Sequence, residues 1–207
     1  MVRTSRSRVR ATRWLKFLLH DSGGTQIVEF AVVLPLLMVV TVGIYDFGSA
    51  FTVKEKLVTI AQTGARVGAS QPGNDLTITA GTCAQLVSVC AIRDVVDRGL
   101  LDARMNDCGL TSAAPVSAGA GTLTWTVTAN SGCPAALVLK IERGYFYNTA
   151  LSTPFAPPAT NPYHLIATRV TLSYPYQWQF NQIIGLLGGT FSGPAQIKTV
   201  AVVQNLN

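Results

Sequence analysis

The stretch that decides the fold is HDSGGTQIVEFAVVLPLLMVVTVGIYDFG, from His20 to Gly48. Sixteen consecutive residues between Glu29 and Asp46 carry no charge, and the apolar run from Ile27 to Phe47 counts twenty-one. As a helix rising about 1.5 Å per residue, such a run covers roughly 30 Å, the hydrocarbon thickness of a bilayer. Pro35 stands inside it. There it removes one backbone hydrogen bond and introduces a kink, which neighbours in a membrane can compensate. Glu29, at the front edge, is costly in lipid unless it meets a partner.

The flanks orient the run. Six of the sixteen basic residues (Arg3, Arg6, Arg8, Arg10, Arg13 and Lys16) fall in the first 24 positions, beside one acid, Asp21. The remainder carries ten basic and nine acidic residues, so the net charge of +6 belongs to a short N-terminal segment. Basic residues ahead of an apolar run hold that side in the cytoplasm. The expected placement is a single pass of the bacterial inner membrane, with the N-terminus cytoplasmic and the C-terminal domain extracytoplasmic (periplasmic). Spaced arginines also suit nucleic acid. Directly before an apolar run they read as an orientation signal, and no nucleic-acid partner is expected. Only 13% of residues are charged, which favours a membrane-attached or assembled protein over a freely soluble enzyme.

Three readings of the run compete. It is an ordinary signal anchor, or a cleaved secretory signal, or a prepilin-type leader followed by a retained helix. Gly48-Ser49-Ala50 offers small residues for a cut before Phe51. Against that cut stand the long segment before the run and the nearby charge of Asp46. In the third reading the cut falls on the cytoplasmic side, ahead of the apolar helix. That reading uses Gly24, Glu29 five residues later, and the aromatic Phe30.

The pattern G-TQIV-EF resembles the processing site of type IV pilin-like proteins, especially the tight-adherence (Flp-type) branch. Together with Pro35, Gly43, Asp46 and the Ala/Gly/Arg stretch AQTGARVGA (61–69), it resembles the TadE-like family of pseudopilins. The resemblance covers about residues 23–70. It implies cleavage after Gly24 by a prepilin-type membrane aspartyl peptidase, with Thr25 as the new N-terminus. It also implies that Glu29 pairs with the N-terminal amine of a neighbouring subunit. The implied partners are the peptidase, other pilins or pseudopilins with the pilus assembly machinery, and membrane lipid. The expected organisation is a basic leader over 1–24, a transmembrane and extended helix over 25–70, and an extracytoplasmic α+β domain over 71–207.

Beyond the run the helical period continues. Leu57, Ile60, Ala61, Gly64, Ala65 and Gly68 form one narrow face of small residues, opposed by Lys54, Lys56, Gln62 and Arg66. Gly64 and Gly68 admit a close neighbour, and the chain's own sheet is preferred to a subunit contact. The helix is expected to end near Ser70, before the breakers Pro72, Gly73 and Asn74. One helix of about 65 Å over 25–69 would suit a pilin-like spine.

A second helix is expected over about 84–106. Val89, Ile92, Val96, Leu100 and Ala103 make its apolar stripe. Arg93, Asp94, Asp97, Arg98 and Asp102 read as a solvated face rather than acid–base chemistry. The period then shifts to two. Strands are expected around 122–128, 137–142, 166–174 and 195–203. In the first, Leu123, Trp125 and Val127 share a face; in the third, Ile166, Thr168, Val170, Leu172 and Tyr174 do. Residues 152–162 form a long connection. The apolar segment QWQFNQIIGLLGG (177–189) is a candidate for core, membrane-surface or subunit contact. The fold class is therefore α+β, with a long N-terminal transmembrane helix, a second helix and an antiparallel sheet of about four strands.

Cys83, Cys90, Cys108 and Cys133 all follow the run, and an oxidising compartment would pair them. Reduced core cysteines are the alternative, and no Cys/His zinc pattern is present. If Cys83 and Cys90 are both helical they stand about 10 Å apart, too far to bridge. Either the first turn is unwound or each pairs elsewhere. Cys108 with Cys133 is the preferred bridge.

No phosphate loop, GxSxG or HExxH is present, and His164 beside Tyr163 reads as a structural or surface residue. No enzyme activity, cofactor or metal is expected. Besides a pilus component, the remaining class is a signal-anchored or secreted periplasmic binding module.

Overall fold

The computed structural model describes residues 22–78, 81–119, 121–146, 166–178 and 196–205. The expected connection over 152–162 and most of the apolar segment over 177–189 lie outside them. The described elements are α1 (Ser22–Ser70), α2 (Val87–Asp102), a 3-10 turn (Leu110–Ser112), β1 (Val116–Ser117), β2 (Thr124–Ala129), β3 (Leu137–Phe146), β4 (Ile166–Pro175) and β5 (Gln196–Gln204). They fall into two compact units divided between Phe47 and Gly48. The first unit holds the front part of α1.

In the second unit the five strands form one antiparallel sheet in chain order. The fifth strand is β1, two residues long and ahead of the first strand expected from the sequence. Two residues carry no period, so sequence alone gives it no signal. The register aligns Trp125 with Ile141, Val127 with Leu139, Leu139 with Leu172, Ile141 with Val170, and Val170 with Ala201. All of these are buried. They form the single face that the helices cover.

The expected inward phases hold with two changes. β2 starts at Thr124, because Leu123 sits at φ 45°, in the left-handed region, and ends the preceding turn. Ile166 opens β4 and is 47% exposed, beyond the reach of the helical layer. Between Glu142 and Tyr145 the register of β3 shifts. Such a bulge re-aims side chains locally, and Arg143 is buried there, its backbone N–H donating to the Leu123 carbonyl at 2.9 Å.

The rear part of α1 packs through its small-residue face. Leu57, Ile60, Ala61, Ala65 and Ala69 are buried. A Cβ built on Gly64 would stand 2.9 Å from Val96 Cγ2, and one on Gly68 would stand 2.7 Å from both Ile92 Cδ1 and Thr168 Cγ2. On α2, Gly99 answers: its Cβ would come within 3.0 Å of Ile60 Cγ1. The two helices therefore approach at glycines on both sides. The face packs on α2 and β4, as the sequence favours over a subunit contact. α1 ends at Ser70, where the Gln71 N–H donates to the Gly68 carbonyl at 3.2 Å.

α2 is shorter than expected at both ends, and its start resolves the cysteine question. Helix begins at Val87, so Cys83 lies in a preceding turn closed by Gln85 and Leu86 N–H groups on the Thr82 carbonyl. This brings the Cys83 and Cys90 Cα atoms to 5.5 Å, and the two are bridged. The unwound first turn is thus the alternative that holds. Cys108 and Cys133 form the second disulfide. Leu86 supplies no side-chain cap. Asp75, from the turn after α1, accepts from Ser88 N at 2.6 Å and Ser88 Oγ at 2.8 Å instead. A remote carboxylate so serves the free N–H groups and positive dipole end of α2.

Val89, Ile92, Val96 and Leu100 are buried as expected, and Ala103 is half-buried. The charged residues of α2 are not all solvated. Arg93 is 8% and Asp97 6% exposed. The turn and loop that follow the helix fold back over them, and sequence periodicity cannot show a cover supplied from elsewhere. Arg93 is satisfied by Asp94, at 2.8 Å, and by the Ala113 carbonyl, at 3.1 Å.

Candidate functional site

The candidate site is the front of α1. The helix begins at Ser22, so Gly24 and Thr25 lie in its first turn. Glu29 and Phe30 follow on the same uninterrupted helix, five and six residues beyond Gly24. All four marks of the expected processing site are therefore held by one local element. About 1.5 Å of rise per residue puts Glu29 some 7 to 8 Å along the axis from Gly24. Glu29 is exposed, and Phe30 is 63% exposed.

The run beyond is apolar and uncovered. Ile27, Val28, Val32, Leu36, Leu37, Met38 and Val40 are each more than half exposed, and so are Ile44, Tyr45 and Phe47. The helix is long and apolar enough to cross a membrane, and its most apolar window is wholly unburied. Exposed apolar surface of this extent is paid back by lipid or by packed neighbours and not by water. Pro35 lies within α1 without ending it. Near the end of the run Asp46 is 1% exposed, unlike the apolar residues around it.

The remaining titratable side chains of interest lie in the second unit. On the sheet face away from the helices, β3 and β4 set Glu142 opposite Arg169. Arg169 donates to both Glu142 carboxylate oxygens, with Nη2 to Oε1 at 2.7 Å, and Lys140 Nζ stands 3.1 Å from Oε1. Burial pushes the Glu142 carboxyl up, but the hydrogen bonds from Arg169 and Lys140 outweigh it and hold the group below the usual glutamate range. The Arg169 guanidinium also lies 4.2 Å from the Tyr145 ring centroid. Arg143 donates to the Gln71 carbonyl at 2.9 Å, and burial pushes its guanidinium down against the opposing pull of Asp75.

These clusters are absent from the sequence reading. Their partners come from separate elements, and only register brings them together. None resembles a nucleophile with its base. Among the described residues, no three His, Cys, Asp or Glu side chains gather in ligand geometry. His164 lies outside the described residues. The four cysteines are consumed in the two disulfides.

No curated protein and no solved structure matches the chain. Over residues 24–66, from the glycine before the expected cut through the small-residue face of α1, the chain carries a match to the family described as TadE-like protein.

Proposed function

We propose that this chain is a membrane-anchored pseudopilin that acts, after prepilin-type processing, in assembly of a tight-adherence (type IVc-like) pilus. The observation that carries the reading is the coincidence of the TadE-like match with an uncovered apolar helix bearing one acid, Glu29, near its start. A lone carboxylate in a membrane helix calls for a counter-charge. A neighbour's freed N-terminal amine, at Thr25 after a cut behind Gly24, would supply one. The two disulfides favour an oxidising, periplasmic site for the sheet domain. The work is interaction without turnover, and the partners are the peptidase, other pilins or pseudopilins and the assembly machinery.

Intact mass after expression with and without a cognate prepilin peptidase tests this. The expected result is loss of residues 1–24 only when the peptidase is present, blocked by Gly24→Leu. A chain that stays whole, or that starts at Phe51, would overturn it. Glu29→Ala should leave membrane insertion intact and cleavage largely intact while impairing assembly. Normal assembly in that variant would return Glu29 to the role of a rim residue.

A further inference from the structure

The core of the sheet domain begins close to the end of the apolar run. Phe47 closes the run, and Val53, on the same helix, already packs against the core. Leu57, one turn further, is fully buried. From Phe47 to Val53 the helix rises about 9 Å. The headgroup layer on each side of a bilayer is roughly 5–8 Å deep, half the difference between the whole bilayer and its hydrocarbon core. With α1 as the span, the turn that follows Phe47 therefore lies in that layer, and no length of chain is left to lift the domain clear of it.

Ser49 belongs to that turn, about 3 Å of helix rise past Phe47. Its hydroxyl is hydrogen-bonded to the Tyr176 phenol. The bond fixes Tyr176 at the level of the headgroups. Tyr174, Tyr176 and Trp178 alternate along the end of β4 and the residues that follow it. Tyr174 packs against the core. Trp178 stands edge-on to Tyr176, with ring centroids 5.1 Å apart and planes at 81°. Phe51, on the same turn of α1 as Ser49, is 66% exposed. An exposed phenylalanine is disfavoured in water. Tyrosine and tryptophan favour the membrane–water boundary, where an apolar ring and one polar tip are both accommodated.

We propose that Phe51, Tyr176 and Trp178 form an interfacial aromatic belt that seats the C-terminal end of β4 in the lipid headgroup layer of the bilayer that α1 crosses. The proposal rests on the reading of α1 as the membrane span. The occupant is lipid rather than a second subunit, because the bond to Ser49 holds these rings beside the end of the span before any assembly takes place. The belt gives the sheet domain a second attachment. A lone helix sets the height of a domain above the membrane, whereas interfacial aromatics also set its tilt and rotation.

The test reads Trp178 fluorescence in the full chain, reconstituted into vesicles of phosphatidylcholine and phosphatidylglycerol. The chain has three tryptophans. Trp14→Phe removes one, and Trp125, 1% exposed inside the core, is shielded from lipid. Lipids carrying a nitroxide on the headgroup, near the top of the acyl chain or at its far end are introduced in turn. The first two should quench part of the emission and the third much less, and Trp178→Phe should abolish the quenchable part. Carbonate extraction reports separately on the span. Emission insensitive to every nitroxide, in a chain that stays with the vesicles through extraction, would overturn the belt and leave the membrane-anchored reading standing. A chain released by carbonate would overturn both. Quenching that is strongest at the end of the acyl chain, or that survives Trp178→Phe, would also overturn the belt.

Discussion

Gly68→Ala tests the helix packing with a single methyl group. The added Cβ would stand 2.7 Å from Ile92 Cδ1 and 2.7 Å from Thr168 Cγ2, with Ile92 Cγ1 at 3.2 Å. Carbon atoms in contact prefer about 3.5–4.0 Å, so both neighbours must yield. The Ile92 tip can turn. Thr168 is β-branched and held in β4 between paired strands, so it yields less readily. Overpacking of this kind costs about 1–3 kcal/mol. Against it stands the gain from replacing glycine inside a helix, about 1 kcal/mol. The expected net is a loss of up to about 2 kcal/mol.

Gly48→Ala is the control. It lies in the same helix with nothing within 4 Å of the added Cβ. Only the propensity term operates, so a gain of up to about 1 kcal/mol is expected. The assay is chemical denaturation of the full chain in detergent, with the buried Trp125, 1% exposed, as a fluorescence reporter. The same pair should differ in Tm by several degrees, at roughly 2–4 °C per kcal/mol for a chain of this size. Ile92→Val removes one of the two clashing atoms, so combined with Gly68→Ala it should cost less than the sum of the single changes. If Gly68→Ala gained as much as Gly48→Ala, close approach would not be what requires glycine at 68.

Two further outcomes are expected. Loop-closure entropy makes the Cys108–Cys133 bridge, 25 residues apart, worth roughly 3.5 kcal/mol and the Cys83–Cys90 bridge, 7 apart, roughly 2.5 kcal/mol. Paired Cys→Ser variants in denaturant should therefore rank in that order, and the reverse order would contradict the loop argument. Glu142→Gln should cost about 2 kcal/mol near pH 7, less than the loss of a fully buried pair because Arg169 is partly exposed. The Glu142 carboxyl is held low in the fold, so its contribution is present above the ordinary glutamate range and lost as pH falls below it. The wild type and Glu142→Gln should thus converge in stability on acidification, and a gap that widened with acid would refute the assignment.

Much of the molecule is written in local order along the chain. The apolar run of α1, its small-residue face, the stripe of α2 and the alternation of β2, β3 and β4 each repeat at the period of the element they form. The candidate site belongs to this class, because Gly24, Thr25, Glu29 and Phe30 are neighbours on one helix and need no tertiary contact to come together. What tertiary structure alone decided lies in pairings between distant positions. Asp75 caps a helix that starts twelve residues later, Glu142 meets Arg169 across 27 residues, and Arg143 reaches back 72 to Gln71. The burial of Arg93 and Asp97 and the closure of Cys83 on Cys90 belong here too. The physical reason is the range of the forces. Hydrophobic period and backbone propensity act over a few residues and survive as sequence pattern. The partner of a buried charge is set by register and by which loop folds over it, and no spacing in the sequence records either.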